Sequence, residues 1–160
     1  MAVPGELVLD AHTVTGRLLV GAAPDSAAAV GELLALGVTH VLDCRTPRPA
    51  PPPAATCRDL VWHSAPTEDD GASRGAAWYA ACLAFAEVAL REEGARLYCH
   101  CAAGVNRSPA AAYAILRGQG WAPATARSRI LTRRPEARPR YFEDADRCLR
   151  ELGIAEQETS

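Results

Sequence analysis

The sequence contains no lysine, so all 17 of its basic residues are arginines. Asp and Glu together number 19, which gives a net charge of −2. A chain with this balance has no excess positive charge to hold a polyanion, so its bulk electrostatics do not indicate nucleic-acid binding. A hydrophobic share of 49% with only 22% charged residues also excludes an intrinsically disordered chain.

Long apolar runs are missing as well. No stretch approaches the roughly 20 residues that span a bilayer. The first ten residues lack the basic and apolar regions of a signal peptide. We therefore expect a cytoplasmic protein that makes no membrane contact. Its six cysteines are then expected to be reduced thiols.

The spacing of potential metal ligands does not indicate zinc. Cys99, His100 and Cys101 are closer together than the usual C-x(2–4)-C pair. No second Cys or His pair elsewhere completes a set of four ligands. We expect neither a metal nor another cofactor.

Apolar runs and turn residues divide the chain into alternating strands and helices. The predicted strands cover four segments, 17–21, 38–44, 59–63 and 95–99. The predicted helices cover five, 26–36, 76–92, 109–117, 123–134 and 142–152. The apolar helix 76–92 is predicted to be the central core helix. The proline-rich segment 47–53 is expected to be a surface connector.

This alternation predicts a single α/β domain, because 160 residues is the usual size of one domain. We expect a central, mostly parallel sheet of about four to five strands flanked by helices. Ligands of such sheets bind beyond the carboxyl ends of the strands. We therefore expect a ligand-binding site in the segment that follows strand 95–99.

That segment reads HCAAGVNRS and lies between a predicted strand and a predicted helix. A turn here would aim successive N–H groups at one point beside a helix N-terminus, which favours an anion. Gly104 permits a backbone angle that other residues resist. Arg107 offers a planar fork that matches two phosphate oxygens. The N–H groups, the helix dipole and Arg107 all favour the thiolate form of Cys101. The segment therefore combines an anion cradle with a nucleophile suited to attack on phosphorus.

The whole segment 100–108 is the anion loop, and its remaining residues have supporting roles. Ser108 can hydrogen-bond the sulfur and help it leave, or cap the following helix, or do both. His100 is expected to fix the loop through backbone hydrogen bonds. The predicted phosphate-binding residues are Ala102, Ala103, Gly104, Val105, Asn106 and Arg107.

The anion loop matches the H-C-x(5)-R-[ST] signature of the cysteine-based protein tyrosine phosphatase superfamily. The chain also resembles the compact dual-specificity branch in its LLVG strand, in VTHVLDCR and in Arg134-Pro135 before a last helix. The resemblance spans residues 15–152. It implies one catalytic domain over 1–154, followed by a disordered tail at 155–160.

The resemblance also implies a general acid on an acidic loop about thirty residues before the cysteine. Here that loop reads TEDDG, residues 67–71. In related small phosphatases the acid often lies just before a glycine, which ranks Asp70 first and Asp69 second. The alternative for either residue is a solvated acidic turn.

The resemblance also bears on two other cysteines. Cys44 or Cys99 could form a disulfide with an oxidised Cys101, as in some relatives. The favoured interpretation is that both are buried and act as small hydrophobic residues.

The implied activity is hydrolysis of protein phosphotyrosine through a phosphocysteine intermediate, with phosphoserine and phosphothreonine as further substrates. The anion loop contains no lysine to meet extra phosphates, so one phosphate per substrate is favoured. Two alternatives remain: a weak or inactive module that binds phosphorylated partners, and a phosphatase of RNA 5′ ends or phospholipids. The expected partner is a phosphorylated protein or peptide, and the expected oligomeric state is a monomer.

Overall fold

The structure is a computed structural model that describes residues 8–138 and 140–154. The tail expected at 155–160 lies outside the described residues. Five strands form one sheet: β1 Ala11–Thr15, β2 Leu18–Gly21, β3 His40–Asp43, β4 Val61–Ser64 and β5 Leu97–His100. Their order across the sheet is β1-β2-β5-β3-β4. Only β1 runs antiparallel to its neighbour, so the mostly parallel sheet is confirmed.

Strand β1 is the one element of the sheet that the sequence did not predict. Its segment AHTVT is short and mostly half-buried, so it carries no strong apolar pattern. It is held by antiparallel pairing with β2, from Ala11 opposite Gly21 to Thr15 opposite Leu18. Pairing with an already formed strand, rather than local preference, makes this segment extended.

Six helices surround the sheet: α1 Ala27–Ala35, α2 Pro53–Thr56, α3 Ala76–Leu90, α4 Arg107–Gly118, α5 Pro123–Arg133 and α6 Phe142–Glu151. Helix α1 begins where predicted, because the Ser26 hydroxyl accepts the Ala29 N–H at 3.0 Å. The short helix α2 lies at the end of the proline-rich segment, where only a connector was expected. Among the helices in the described residues, none is long and apolar enough to cross a membrane.

The most enclosed helix is α4, not the predicted 76–92 segment. Every residue of α4 from Ser108 to Arg117 is buried, whereas α3 buries one side. The small alanines of α4 let it lie close against β2 and β5 while α3, α5 and α6 cover it. The prediction of α3 as the central core helix was therefore wrong: its residues are larger and more apolar, but α4 has the enclosed position.

The sheet order places the anion loop at a crowded edge. Strand β5 lies between β2 and β3 and runs parallel to both. The segment after β5 therefore leaves the sheet between the carboxyl ends of two neighbouring strands. In α/β sheets this edge is where ligands bind.

Candidate active site

The anion loop turns its carbonyl oxygens outward into the protein. The Ala102 carbonyl accepts the Ala23 N–H at 3.0 Å, and the Val105 carbonyl accepts the Arg138 N–H at 2.8 Å. The carbonyls of Ala103 and Gly104 accept from a buried arginine, described below. In a trans peptide the C=O and the following N–H point in opposite directions. The N–H groups that follow these carbonyls therefore face the inside of the turn.

Gly104 is required at the tightest point of this turn. Its φ is +70°, a left-handed angle that favours glycine. A Cβ there would lie 2.4 Å from the carbonyl carbon of Gly21. The backbone of the loop thus passes too close to β2 for any side chain to fit.

The thiol of Cys101 lies at the base of the turn and is 3% exposed. Burial opposes its ionisation, but hydrogen bonds from the Ser108 hydroxyl, the Ser108 N–H and the Gly104 N–H favour it, as does the charge of Arg107. Together they hold the pKa of Cys101 below its ordinary value. The Ser108 Oγ is 3.3 Å from Sγ and 3.2 Å from the Gly21 carbonyl oxygen.

His100 is fully buried beneath the cysteine. Its Nδ1 is 3.1 Å from the Cys101 carbonyl oxygen, so an Nδ1–H can donate to that carbonyl. Its Nε2 is 3.7 Å from Asp43 Oδ2. Burial lowers the pKa of His100, which favours the neutral ring. The ring therefore supports the loop through the backbone and adds no charge of its own.

Arg107 extends from the first turn of α4 toward the acidic loop (67–71). Its Nη1 donates to the Thr67 carbonyl oxygen at 3.0 Å. Its Nε is buried and has no hydrogen-bond partner among the described residues. An unpaired buried N–H is costly, and an anion bound beside Arg107 would supply the acceptor that its Nε lacks.

The two adjacent aspartates of the acidic loop have different surroundings. Asp69 Oδ2 accepts from the Asn106 amide at 3.2 Å, and Asp69 Oδ1 accepts from the Tyr141 hydroxyl at 2.7 Å. Asp70 pairs with Arg74 and accepts the Ala72 N–H at 3.0 Å, and both partners lie just after the acidic loop in the sequence. The structure therefore brings Asp69, and not Asp70, into contact with the anion loop.

Both carboxyls are more acidic than usual in this arrangement. Burial alone would raise the pKa of Asp69, but hydrogen bonds from Tyr141 and Asn106 and the charges of Arg140 and Arg107 lower it. The pKa of Asp70 is lowered chiefly by the Ala72 N–H and by Arg74. The charge of Arg107, which lowers the pKa of Cys101, also lowers that of Asp69.

Solved structures of other proteins resemble this fold. No protein-family model and no curated protein matches the sequence. A structure of human DUSP28 is 25% identical in sequence and superposes with a TM-score of 0.75. The match covers 95% of this chain and 99% of the DUSP28 chain. A mouse protein described as a dual-specificity phosphatase, complexed with zinc tungstate, is 21% identical, covers 99% of each chain and has a TM-score of 0.80.

The chain has the dual-specificity phosphatase fold. The signature at 100–108 on this fold confirms the predicted resemblance to the cysteine-based protein tyrosine phosphatase superfamily, in its compact branch. PTPMT1 in complex with PI(5)P has the same fold, with 21% identity, a TM-score of 0.75, and coverage of 89% of this chain and 96% of its own.

Within this phosphatase fold, most of the predicted site residues meet around one point. The turn itself contains Cys101, Asn106, Arg107 and Ser108, and His100 lies beneath it. Among the other predicted phosphate-binding residues, Gly104 is buried, Val105 is half-buried, and Ala102 and Ala103 are exposed. Asp70 is the one candidate whose contacts lie away from the anion loop.

Two residues of this candidate site were not found from the sequence as parts of it. Arg134, which the sequence analysis noted only beside Pro135, is fully buried behind the anion loop. It donates to the Gly104 carbonyl at 2.7 Å and to the Ala103 carbonyl at 3.0 Å, and it pairs with Asp10 at 3.0 Å. Tyr141 holds the acidic loop and has no motif around it that could have revealed this.

Four other thiols of the chain form part of the core. Cys44, Cys82, Cys99 and Cys148 are buried, and all six cysteines are free. Burial raises the pKa of Cys99, in contrast to Cys101. In the part of the chain that the structure describes, no group of three or more His, Cys, Asp or Glu could hold a metal ion.

Proposed function

We propose that this protein is a phosphomonoester hydrolase that removes phosphate from protein phosphotyrosine through a phosphocysteine intermediate. One observation carries the proposal. The N–H groups of Gly104 and Ser108 donate to the Cys101 sulfur, and the same sulfur is influenced by the charge of Arg107, whose Nε is unpaired among the described residues. A thiolate and an anion cradle centred on the same point are what in-line attack on phosphorus requires.

In the first step, Sγ attacks phosphorus, the S–P bond forms and the bond from phosphorus to the leaving oxygen breaks. Arg107 and the inward N–H groups hold the three equatorial oxygens, whose charge is spread most widely at this point. Asp69 gives a proton to the leaving tyrosyl oxygen. The negative charge of the bound phosphate favours the protonated carboxyl and so opposes the low pKa of Asp69 in the empty site.

In the second step, water attacks the phosphocysteine. The Asp69 carboxylate takes a proton from the water, the P–O bond forms, and the S–P bond breaks to release inorganic phosphate. The electron pair returns to Sγ as a thiolate. The Ser108 hydroxyl, which donates to the Gly21 carbonyl at 3.2 Å and lies 3.3 Å from Sγ, stabilises that thiolate by turning its proton toward the sulfur.

A substrate with a single phosphate fits the surroundings of the turn best. Apart from Arg107, the only side chain of the anion loop that can carry a positive charge is His100, and burial lowers the pKa of His100 and favours its neutral ring. Arg45 lines the neighbouring cavity of about 270 Å³, but it is paired with Asp43 at 3.0 Å and with Asp25 at 2.8 Å. Arg48 in the same cavity also pairs with Asp25. Because these charges are already neutralised, a phosphoinositide or a triphosphate end of RNA is the less favoured substrate.

A substrate panel tests this proposal. The wild-type protein is expected to hydrolyse an activated aryl phosphate and phosphotyrosine peptides, and to hydrolyse phosphoinositides and triphosphate RNA much more slowly. The matched control is Cys101→Ser, which removes the sulfur nucleophile but leaves the N–H cradle intact. It is expected to bind a phosphotyrosine peptide without turnover. Binding by the wild-type protein with no hydrolysis of any phosphate ester would support the binding module instead.

A further inference from the structure

Tyr141 joins the last helix to the acidic loop through its hydroxyl group. The residue directly precedes α6 and is 2% exposed. Its hydroxyl donates to Asp69 Oδ1 at 2.7 Å and accepts the Gly71 N–H at 2.9 Å. One hydroxyl therefore contacts both the side chain of Asp69 and the backbone two residues later.

The ring of Tyr141 is itself contacted by two arginines. The guanidinium of Arg74 lies 4.8 Å from the ring centroid, and that of Arg140 lies 5.6 Å from it. Arg74 also donates to the Thr67 hydroxyl, at the start of the acidic loop, and to the Ala72 carbonyl, directly after its end. These cation–π contacts depend on the ring and not on the hydroxyl. A phenylalanine would keep them and lose only the two hydrogen bonds.

The hydroxyl also decides which oxygen of Asp69 can act. Tyr141 occupies Oδ1, while Oδ2 faces the anion loop at Asn106. Oδ1 accepts from the Tyr141 phenol and also, at 3.5 Å, from the Arg140 guanidinium, whereas Oδ2 accepts from the Asn106 amide and keeps a second lone pair for a proton. The proton that leaves during catalysis must therefore be carried on Oδ2, the oxygen nearer the phosphate.

We propose that Tyr141 is a positioning residue that fixes Oδ1 of Asp69 and presents Oδ2 to the leaving oxygen. The proposal rests on the proposed function, since it assigns a partner to the acid of that reaction. Three other groups face the same carboxyl and stay in place when the hydroxyl is removed: the Asn106 amide, the Arg140 guanidinium and the Arg107 guanidinium.

Removing the hydroxyl has a defined effect on the acid. A donor to a carboxylate stabilises its ionised form, so the loss of that donor raises the pKa of Asp69. The acid then stays protonated to higher pH, while its placement is poorer. Tyr141→Phe is thus expected to move the basic limb of the pH–rate profile upward. It should also lower kcat for phosphotyrosine by about 10-fold, the size expected for one lost hydrogen bond to a charged group.

The experiment compares Tyr141→Phe with Tyr113→Phe. Tyr113 is another buried tyrosine whose hydroxyl donates to an aspartate of α6, Asp146, at 2.5 Å, away from the anion loop. We expect the Tyr141 variant to lose activity toward phosphotyrosine but not toward an activated aryl phosphate, whose leaving group needs no proton. The Tyr113 variant should keep the wild-type pH profile. An equal loss on both substrates with an unmoved pH profile, or no change at all, would overturn the proposal.

A second measurement separates this proposal from the proposed function. The titration of the Asp69 carboxyl is followed by NMR in Cys101→Ser and in the same protein with Tyr141→Phe added. A higher pKa in the double variant supports the Tyr141 contact whether or not the enzyme turns over. An unchanged pKa contradicts it. A wild-type protein that is inactive toward every phosphate ester contradicts the proposed function alone.

Discussion

The Asn106 amide donates to the Asp69 carboxylate across 3.2 Å and so connects the anion loop to the acidic loop. The Arg107 guanidinium makes a second link, to the Thr67 carbonyl at 3.0 Å. Both links come from the stretch that also builds the phosphate cradle. Asp69, the proposed acid, is therefore held beside the anion loop before a substrate binds, which would remove part of the cost of ordering it during the proposed reaction.

The first prediction concerns the choice between the adjacent aspartates. Asp69→Asn is expected to lower kcat/KM for phosphotyrosine by about 10²–10⁴-fold, the range for loss of a general acid. The loss should be far smaller with an activated aryl phosphate, because that oxygen leaves without a proton. The fall in rate at high pH should disappear in this variant, since it reports deprotonation of the acid.

Asp70→Asn is the matched control for that prediction. Asp70 pairs with Arg74 and makes no contact with the anion loop, so its loss should leave both substrates and the pH profile nearly unchanged. A dependence on the leaving group in Asp70→Asn, with none in Asp69→Asn, would reverse the assignment of the acid.

Arg107→Lys keeps a positive charge but loses the two-pronged geometry of the guanidinium. A lysine cannot hold two phosphate oxygens and the Thr67 carbonyl together. We expect kcat to fall by at least about 10²-fold, as for loss of a donor that acts in the transition state. Steady-state kinetics with the aryl phosphate measures this. A variant with near-normal kcat would show that Arg107 does not grip the transferred phosphate.

Ser108→Ala tests the hydroxyl beside the sulfur. Removing a donor to the thiolate raises the pKa of Cys101, so alkylation by iodoacetate should need a higher pH than in the wild-type protein. The same loss makes the sulfur a poorer leaving group. Rapid mixing should then show a burst of the aryl alcohol followed by slow turnover. An unmoved alkylation profile without a burst would leave Ser108 with a purely structural role.

Arg134→Met tests the support behind the anion loop. The substitution leaves the carbonyls of Ala103 and Gly104 without their donor and Asp10 without its partner. We expect the free energy of unfolding to fall by about 3 kcal/mol, together with a loss of activity. Urea denaturation measures the first effect. The exposed neighbour is the control: Arg133→Met should change the stability by less than about 0.5 kcal/mol.

The sequence alone was sufficient to predict the candidate nucleophile and the turn around it. Cys101, Gly104, Arg107 and Ser108 all lie within nine consecutive residues between a strand and a helix. A turn that short has few ways to fold, so the spacing itself implied the geometry. The four predicted strands and the five predicted helices were recognisable for a similar reason, because each carries its apolar pattern and its turn residues locally.

Only the tertiary structure distinguished between the two aspartates. Asp69 and Asp70 are neighbours with the same chemistry, so no local pattern separates them. What separates them is contact with Asn106, 37 residues away, and with Tyr141, 72 residues away. The enclosed position of α4 and the pairing of β1 also depend on packing between distant segments. Such contacts follow from how the chain folds as a whole, and a local reading of the sequence does not contain them.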